Sequence, residues 1–156
     1  MTTQKLQEKL DRYLSYLAQD KNNFNLLLSA SDCYRQLGDC TSAQRYLDEA
    51  QQLAGRQFWT HQGFLHMDSN QMLLAKESFG QAIAEEDTPV NRYNLGFCLY
   101  INQEFEEALA VLHSSDNSQP LPEWTHLKAK LLHHLQRIDE AIMLLKQLLV
   151  HHESDA

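Results

Sequence analysis

Ala43, Ala75, Ala108 and Ala141 stand 32, 33 and 33 residues apart, and their surroundings repeat with them. Four positions after each alanine comes Leu47, Phe79, Leu112 or Leu145, and three further on Ala50, Ala82, Ser115 or Leu148. Three positions before it stands Cys40, Met72, Phe105 or Ile138. Small and large side chains at i, i+4 and i+7 make one stripe of an α-helix. A second helix precedes each stripe, marked by Leu27, Ala30, Ser31 and Tyr34, by Trp59, Gly63 and His66, and by Leu95, Gly96 and Leu99. A helix pair of this size cannot bury its apolar face alone, so successive pairs must stack on one another. The period therefore predicts an all-α chain with almost no strand.

The pattern W-x2-(L)-G-x2-(Y), followed by an alanine twelve residues after the small residue, then an aromatic or leucine and another alanine, resembles the tetratricopeptide repeat. Trp59, Gly63, Ala75, Phe79 and Ala82 carry it in one unit, and Leu95, Gly96, Leu99, Ala108 and Leu112 in the next. The resemblance implies a right-handed superhelix, an α-solenoid of antiparallel helix pairs. The length predicts a single domain over residues 1–156, and the resemblance puts repeats at about 24–57, 56–88, 89–121 and 122–155. Gly38-Asp39, Asn70-Gln71, Gln103-Glu104 and Gln136-Arg137 sit where each pair turns. Residues 4–19 place Leu6, Leu10, Tyr13, Leu14 and Leu17 at helical intervals, and residues 1–23 read as a capping helix with Gln4, Lys5, Glu8, Lys9 and Arg12 outward. Asp20-Lys21-Asn22-Asn23 resembles the Asp-Pro-Asn-Asn turn between such repeats. Thr88 before Pro89 marks a helix start, Pro122-Glu123 another, and His113 to Leu121 reads as a loop. Gln62, Lys128 and Arg92 replace apolar residues of the pattern. The fourth repeat's first helix is open by one position, because Trp124, Leu127 and Leu131 fit the stripe if its turn is one residue longer.

Charge narrows the partners. Thirteen Lys and Arg against twenty-one Asp and Glu give a net charge of -8, and residues 51–122 hold three cations against nine anions. With no cationic run to neutralise phosphates or anionic headgroups, nucleic acid and membrane are not expected partners. The N-terminus lacks a signal-peptide core and no run approaches the ~20 apolar residues of a span, which predicts a cytoplasmic protein. Cys33, Cys40 and Cys98, an odd number without a CxxC pair, read as reduced and mostly buried thiols.

Little in the chain points to catalysis. It has no glycine-rich phosphate loop, no GxSxG and no HExxH. His133-His134 and His151-His152 are helix neighbours that point about 100° apart, so they make no metal site by themselves. Glu104, Glu106 and Glu107 suit a helix start, and Glu85-Glu86-Asp87 reads as a solvated helix end. The expectation is a non-enzymatic chain with no metal and no cofactor.

By the resemblance, the first helix of each pair lines a concave groove. The first unit then offers Asn25, Leu28, Asp32, Arg35 and Gln36, and the apolar and aromatic residues concentrate in the next two. His61, Phe64, Met67, Tyr93, Asn94, Phe97 and Tyr100 are the expected partner-binding residues, and of these Phe64, Tyr93, Phe97 and Tyr100 lie on positions the Leu95 and Leu99 stripe does not need for packing. The competing structural reading is that some of these rings pack against neighbouring helices. The family's chaperone-tail groove uses two lysines, two asparagines and an arginine, and in either register only Asn94 matches. The expected function is a protein-interaction module for a peptide or helical segment of a partner. One alternative is a type III secretion translocator-type chaperone, similar in length and acidity but typically with three repeats. Another is a self-associating homo-oligomeric scaffold.

Overall fold

The computed structural model describes residues 2–113 and 122–154, with side chains as far as Val150. Most of the expected His113 to Leu121 loop, with Ser115, lies outside the described residues. Among those described there are nine helices and no strand: α1 Thr3–Gln19, α2 Phe24–Gln36, α3 Cys40–Ala54, α4 Trp59–Asp68, α5 Met72–Glu85, α6 Pro89–Ile101, α7 Phe105–His113, α8 Pro122–His134 and α9 Ile138–Ser154. The fold is the all-α, helix-pair architecture of a tetratricopeptide solenoid. It divides into two compact units, Met1–Ala82 and Ile83–Ala156.

Each helix pair of the repeat turns in the same way. Gly38, Asn70, Gln103 and Gln136 all have positive φ, between 57° and 85°. After each, the next amide reaches back five residues: Asp39 N–H to Tyr34 O, Gln71 to His66, Glu104 to Leu99 and Arg137 to Leu132, at 2.8–2.9 Å. This is the Schellman arrangement, which satisfies carbonyls left orphaned at a helix end. Gln136 follows Gln103 by 33 residues, so the fourth repeat has no longer turn, and Ala129 takes the place of Gly96. Trp124, Leu127 and Leu131 are buried in that register.

Helix starts are capped by short polar side chains. Asn23 accepts from Leu26 N–H at 3.2 Å, Asp39 from Ser42 at 3.0 Å and Thr88 from Asn91 at 3.2 Å, with Pro89 at the first helical position. Such caps contribute typically about 1 kcal/mol each.

In the first unit the core gathers Leu27, Leu28, Ala43, Leu47, Ala50, Phe58 and Leu65. A second cluster, Leu10, Ala30 and Cys33, joins the capping helix α1 to α2. The repeat's small position is what lets each pair close up. Ser31 sits there buried and donates its hydroxyl to the Ala43 carbonyl at 2.7 Å. Gly63 of α4 lies against the Phe79 ring of α5. In the second unit Gly96 of α6 lies against Leu112 of α7, and the core comprises Leu99, Ala108, Leu109, Leu112, Trp124, Leu127, Leu131, Leu132 and Ala141.

Two of the three departures from the apolar pattern, Gln62 and Arg92, are met by polar partners. Gln62 and Gln44 exchange amide hydrogen bonds at 3.0 and 3.2 Å, and Gln62 also donates to His66 Nε2 at 3.3 Å. Arg92 donates from Nε and Nη2 to the two carboxylate oxygens of Asp87, each at 2.6 Å, and from Nη1 to the Val111 carbonyl at 3.3 Å. Asp87, expected as part of a solvated helix end, is therefore half of an ion pair that holds the start of α6. Lys128 is half-buried and senses Glu140, itself gripped by Arg137 at 2.7 Å. Burial pulls the Lys128 ammonium pKa down and Glu140 acts against it.

Candidate functional site

The seven expected binding residues divide between the units, His61, Phe64 and Met67 in the first and Tyr93, Asn94, Phe97 and Tyr100 in the second. In the second unit, Gly96 turns one face of α6 onto α7. Tyr93, Phe97 and Tyr100, at i, i+4 and i+7, lie on another face. Together with Pro122, Glu123, His126, Leu127 and Lys130 of α8 they line an open cleft of about 310 Å³. The Tyr93 and Phe97 rings are stacked, 6.2 Å apart and 12° from parallel. Tyr100 lies near Phe105 and His134, at 6.0 and 5.7 Å, and those two rings stack at 4.5 Å.

These rings are not clear of the packing, as the spacing of Leu95 and Leu99 led one to expect. Tyr93, Phe97 and Tyr100 are half-buried and rest against the core of the second unit while lining the cleft. The reason is α8, whose Trp124, Leu127 and Leu131 enter the same core. Asn94 is buried in α6 and does not line the cleft.

The opposite wall was not legible as a site. Glu123, His126 and Lys130 stand 33 residues after Val90, Tyr93 and Phe97. Extending the period across the fourth repeat would have found them, had its register been settled. His126 Nδ1 donates to the Pro122 carbonyl at 2.8 Å, which leaves Nε2 as its other polar atom. The cleft is thus aromatic on one wall and carries a carboxylate, an imidazole and an ammonium on the other.

The first unit presents different chemistry. The Phe64 ring meets Phe79 edge-on at 5.2 Å, and the Arg35 guanidinium lies 5.1 Å from its centre. Arg35 in turn donates to Asp68 at 2.8 Å and stands 3.7 Å from Asp32. His61 Nε2 is 3.5 Å from the other Asp32 oxygen, with its ring edge-on to Phe58. Phe64 is therefore a support for an acid–base cluster, and Met67 beside it is half-buried. A shallow depression of about 520 Å³ is lined by Leu6, Arg35, Gln36, Gly38, Cys40 and Asp68. It includes none of the three residues expected to bind.

Among the described residues no three His, Cys, Asp or Glu side chains converge as a metal site, and no helix is long and apolar enough to cross a membrane. A comparison with curated proteins finds no match. Among solved structures, the chain is similar to one described as "Crystal structure of MamA", with a TM-score of 0.70 and 20% identity, covering 94% of this chain and 88% of that one. At that identity the likeness shows the fold. The family profile described as "Anaphase-promoting complex, cyclosome, subunit 3" matches residues 65–148, just over half of the sequence. With its repeated turns, its small-against-large helix contacts and this match, the chain is a tetratricopeptide repeat protein and belongs to that family.

Proposed function

We propose that the chain is a non-enzymatic protein-interaction module whose α6–α8 cleft holds a peptide or helical segment of a partner. The observation that carries this reading is the half-buried row of Tyr93, Phe97 and Tyr100 facing Glu123, His126 and Lys130 across open space. Rings already ordered by the core lose little freedom on binding, so their exposed faces suit an apolar anchor. Glu123 and Lys130 at the rim orient the ligand by charge. The acidity of residues 51–122 favours basic residues flanking the anchor. In the first unit, Asp32 and Asp68 offer a separate contact for basic side chains, beside Arg35 and Phe64.

Selection of a displayed random-peptide library on the immobilised full chain tests this. Enriched peptides should share an aromatic or branched apolar anchor and lose affinity on Phe97→Ala, by an amount typical of an interface hot spot, about 2 kcal/mol. Lys130→Glu should change which flanking charges are selected. Failure to enrich, or peptides indifferent to both substitutions, would remove the cleft as the site.

A further inference from the structure

Leu47, Phe79 and Leu112 are buried at equivalent positions of the repeat, but Leu145 is 39% exposed. It is one of a row. Ile138, Ile142 and Leu149 on the same helix are 40%, 45% and 64% exposed. Their spacing of four, three and four residues keeps the four side chains within about 60° around α9. The adjoining side of α9 is spoken for, since Ala141 and Leu144 pack into the core of the second unit and Leu148 is half-buried. On α7 the corresponding Phe105, Leu109 and Leu112 pack in the core with Trp124, Leu127 and Leu131 of α8. The same face that docks a helix on α7 is therefore uncovered on α9 among the described residues.

We propose that this face pairs with α9 of a second copy of the chain, antiparallel, about a two-fold axis between Ile142 and Leu145. A four-three-four row is the seam of a two-stranded coiled coil, with Ile138 and Leu145 at d and Ile142 and Leu149 at a. Antiparallel pairing sets Ile142 against Leu145 and Ile138 against Leu149 of the other copy. Charge selects this arrangement. Asp139 and Lys146 are both exposed and both follow a d residue, at the e position. In an antiparallel pair e meets e, so each Asp139 lies beside a Lys146, twice by symmetry. A parallel pair would set Lys146 against Ala141 at g and leave Asp139 with no g residue on α9 to meet, and so gain no ion pair. The capping helix α1 is a poor alternative occupant, because Gln4, Lys5, Glu8 and Arg12 make its outer side polar. An isologous contact of this kind closes at two copies.

Sedimentation equilibrium of the full chain over a range of concentrations decides the matter. A monomer–dimer equilibrium is expected. Leu145→Glu should leave monomer only. Lys146→Glu, an exposed change that leaves helicity intact by circular dichroism, should weaken dimerisation by roughly tenfold, since two attractive pairs become two repulsive ones. The double change Asp139→Lys with Lys146→Asp should restore it, because each pair is rebuilt with reversed sign. A monomer at every concentration, an assembly larger than two, a dimer indifferent to Lys146→Glu, or a charge swap that fails to restore pairing would each overturn the proposal.

Discussion

Gly63 and Phe79 are packed so closely that a Cβ on Gly63 would lie 2.6 Å from Cε1 of the ring. Phe79 is fully buried, with Phe64 edge-on beside it, so it has nowhere to move. The glycine is a steric requirement here, imposed by the bulkiest residue at the large position of the repeat.

Gly63→Ala should therefore be destabilising. Overpacking costs roughly 1–3 kcal/mol, which exceeds the ~1 kcal/mol that alanine adds in helix propensity. Gly96→Ala should be milder, because its Cβ would meet the flexible end of Leu112 at 3.1 Å. Urea denaturation followed by circular dichroism ranks the two, and equal midpoints would show that the α4–α5 contact is looser than described.

The repeated turn makes a prediction of opposite sign. Gln103 and Gln136 adopt φ of 63° and 60°, a conformation that a residue with a Cβ enters at a cost of about 1 kcal/mol or more. Each replacement by glycine should raise stability by up to about 1 kcal/mol. Gly38→Ala, at φ 85°, should lower it. Denaturation midpoints that do not separate in these directions would contradict the turn geometry.

Cys33 and Cys98 are buried in helices, whereas Cys40 is half-buried at the start of α3. Burial also pushes the Cys33 thiol pKa up, which lowers its thiolate fraction. Native protein should show one faster-reacting thiol, at Cys40, and two slow ones, with all three labelled after denaturation. Rapid labelling of Cys33 in native buffer would contradict the packing of α1 on α2.

Stability should fall on mild acidification through His113. Loss of solvent, then Lys128 and Arg137, hold its pKa below the ordinary histidine value, while Glu140 pulls the other way. The folded chain then binds fewer protons at His113 than the unfolded chain does. The stability it contributes is present above the unfolded value of about 6.5 and is lost as pH falls through the lower folded value. Asp87 acts in a more acidic window, because Arg92 holds its carboxyl below the usual range; its contribution is lost as pH falls through that folded value. His113→Gln should flatten the dependence of Tm between about pH 7 and 5, and Asp87→Asn only the acid limb below it. An unaltered slope in both variants would show that neither group is linked to folding.

The helix-pair architecture was legible because its signals are local. Ala43, Ala75, Ala108 and Ala141, the turn residues beginning at Gly38, and the Thr88-Pro89 start act within one or two turns of chain, so their spacing alone specifies helix, turn and period. Contacts between helices decided the rest. Phe64 looks like an open ring in the sequence, yet it lies between Phe79 and Arg35, residues 15 and 29 positions away. Gln62 and Arg92 look like breaks in an apolar stripe, and only the approach of Gln44 and Asp87 gives them partners. Asn94 shares a helix with Tyr93 and Phe97 but faces inward. The wall supplied by Glu123, His126 and Lys130 appears once Gln136 is seen to turn in the register of Gln103. A repeat determines which residues are small, large or turning; which of its faces is covered depends on the neighbouring helix, and that is a property of the packed chain.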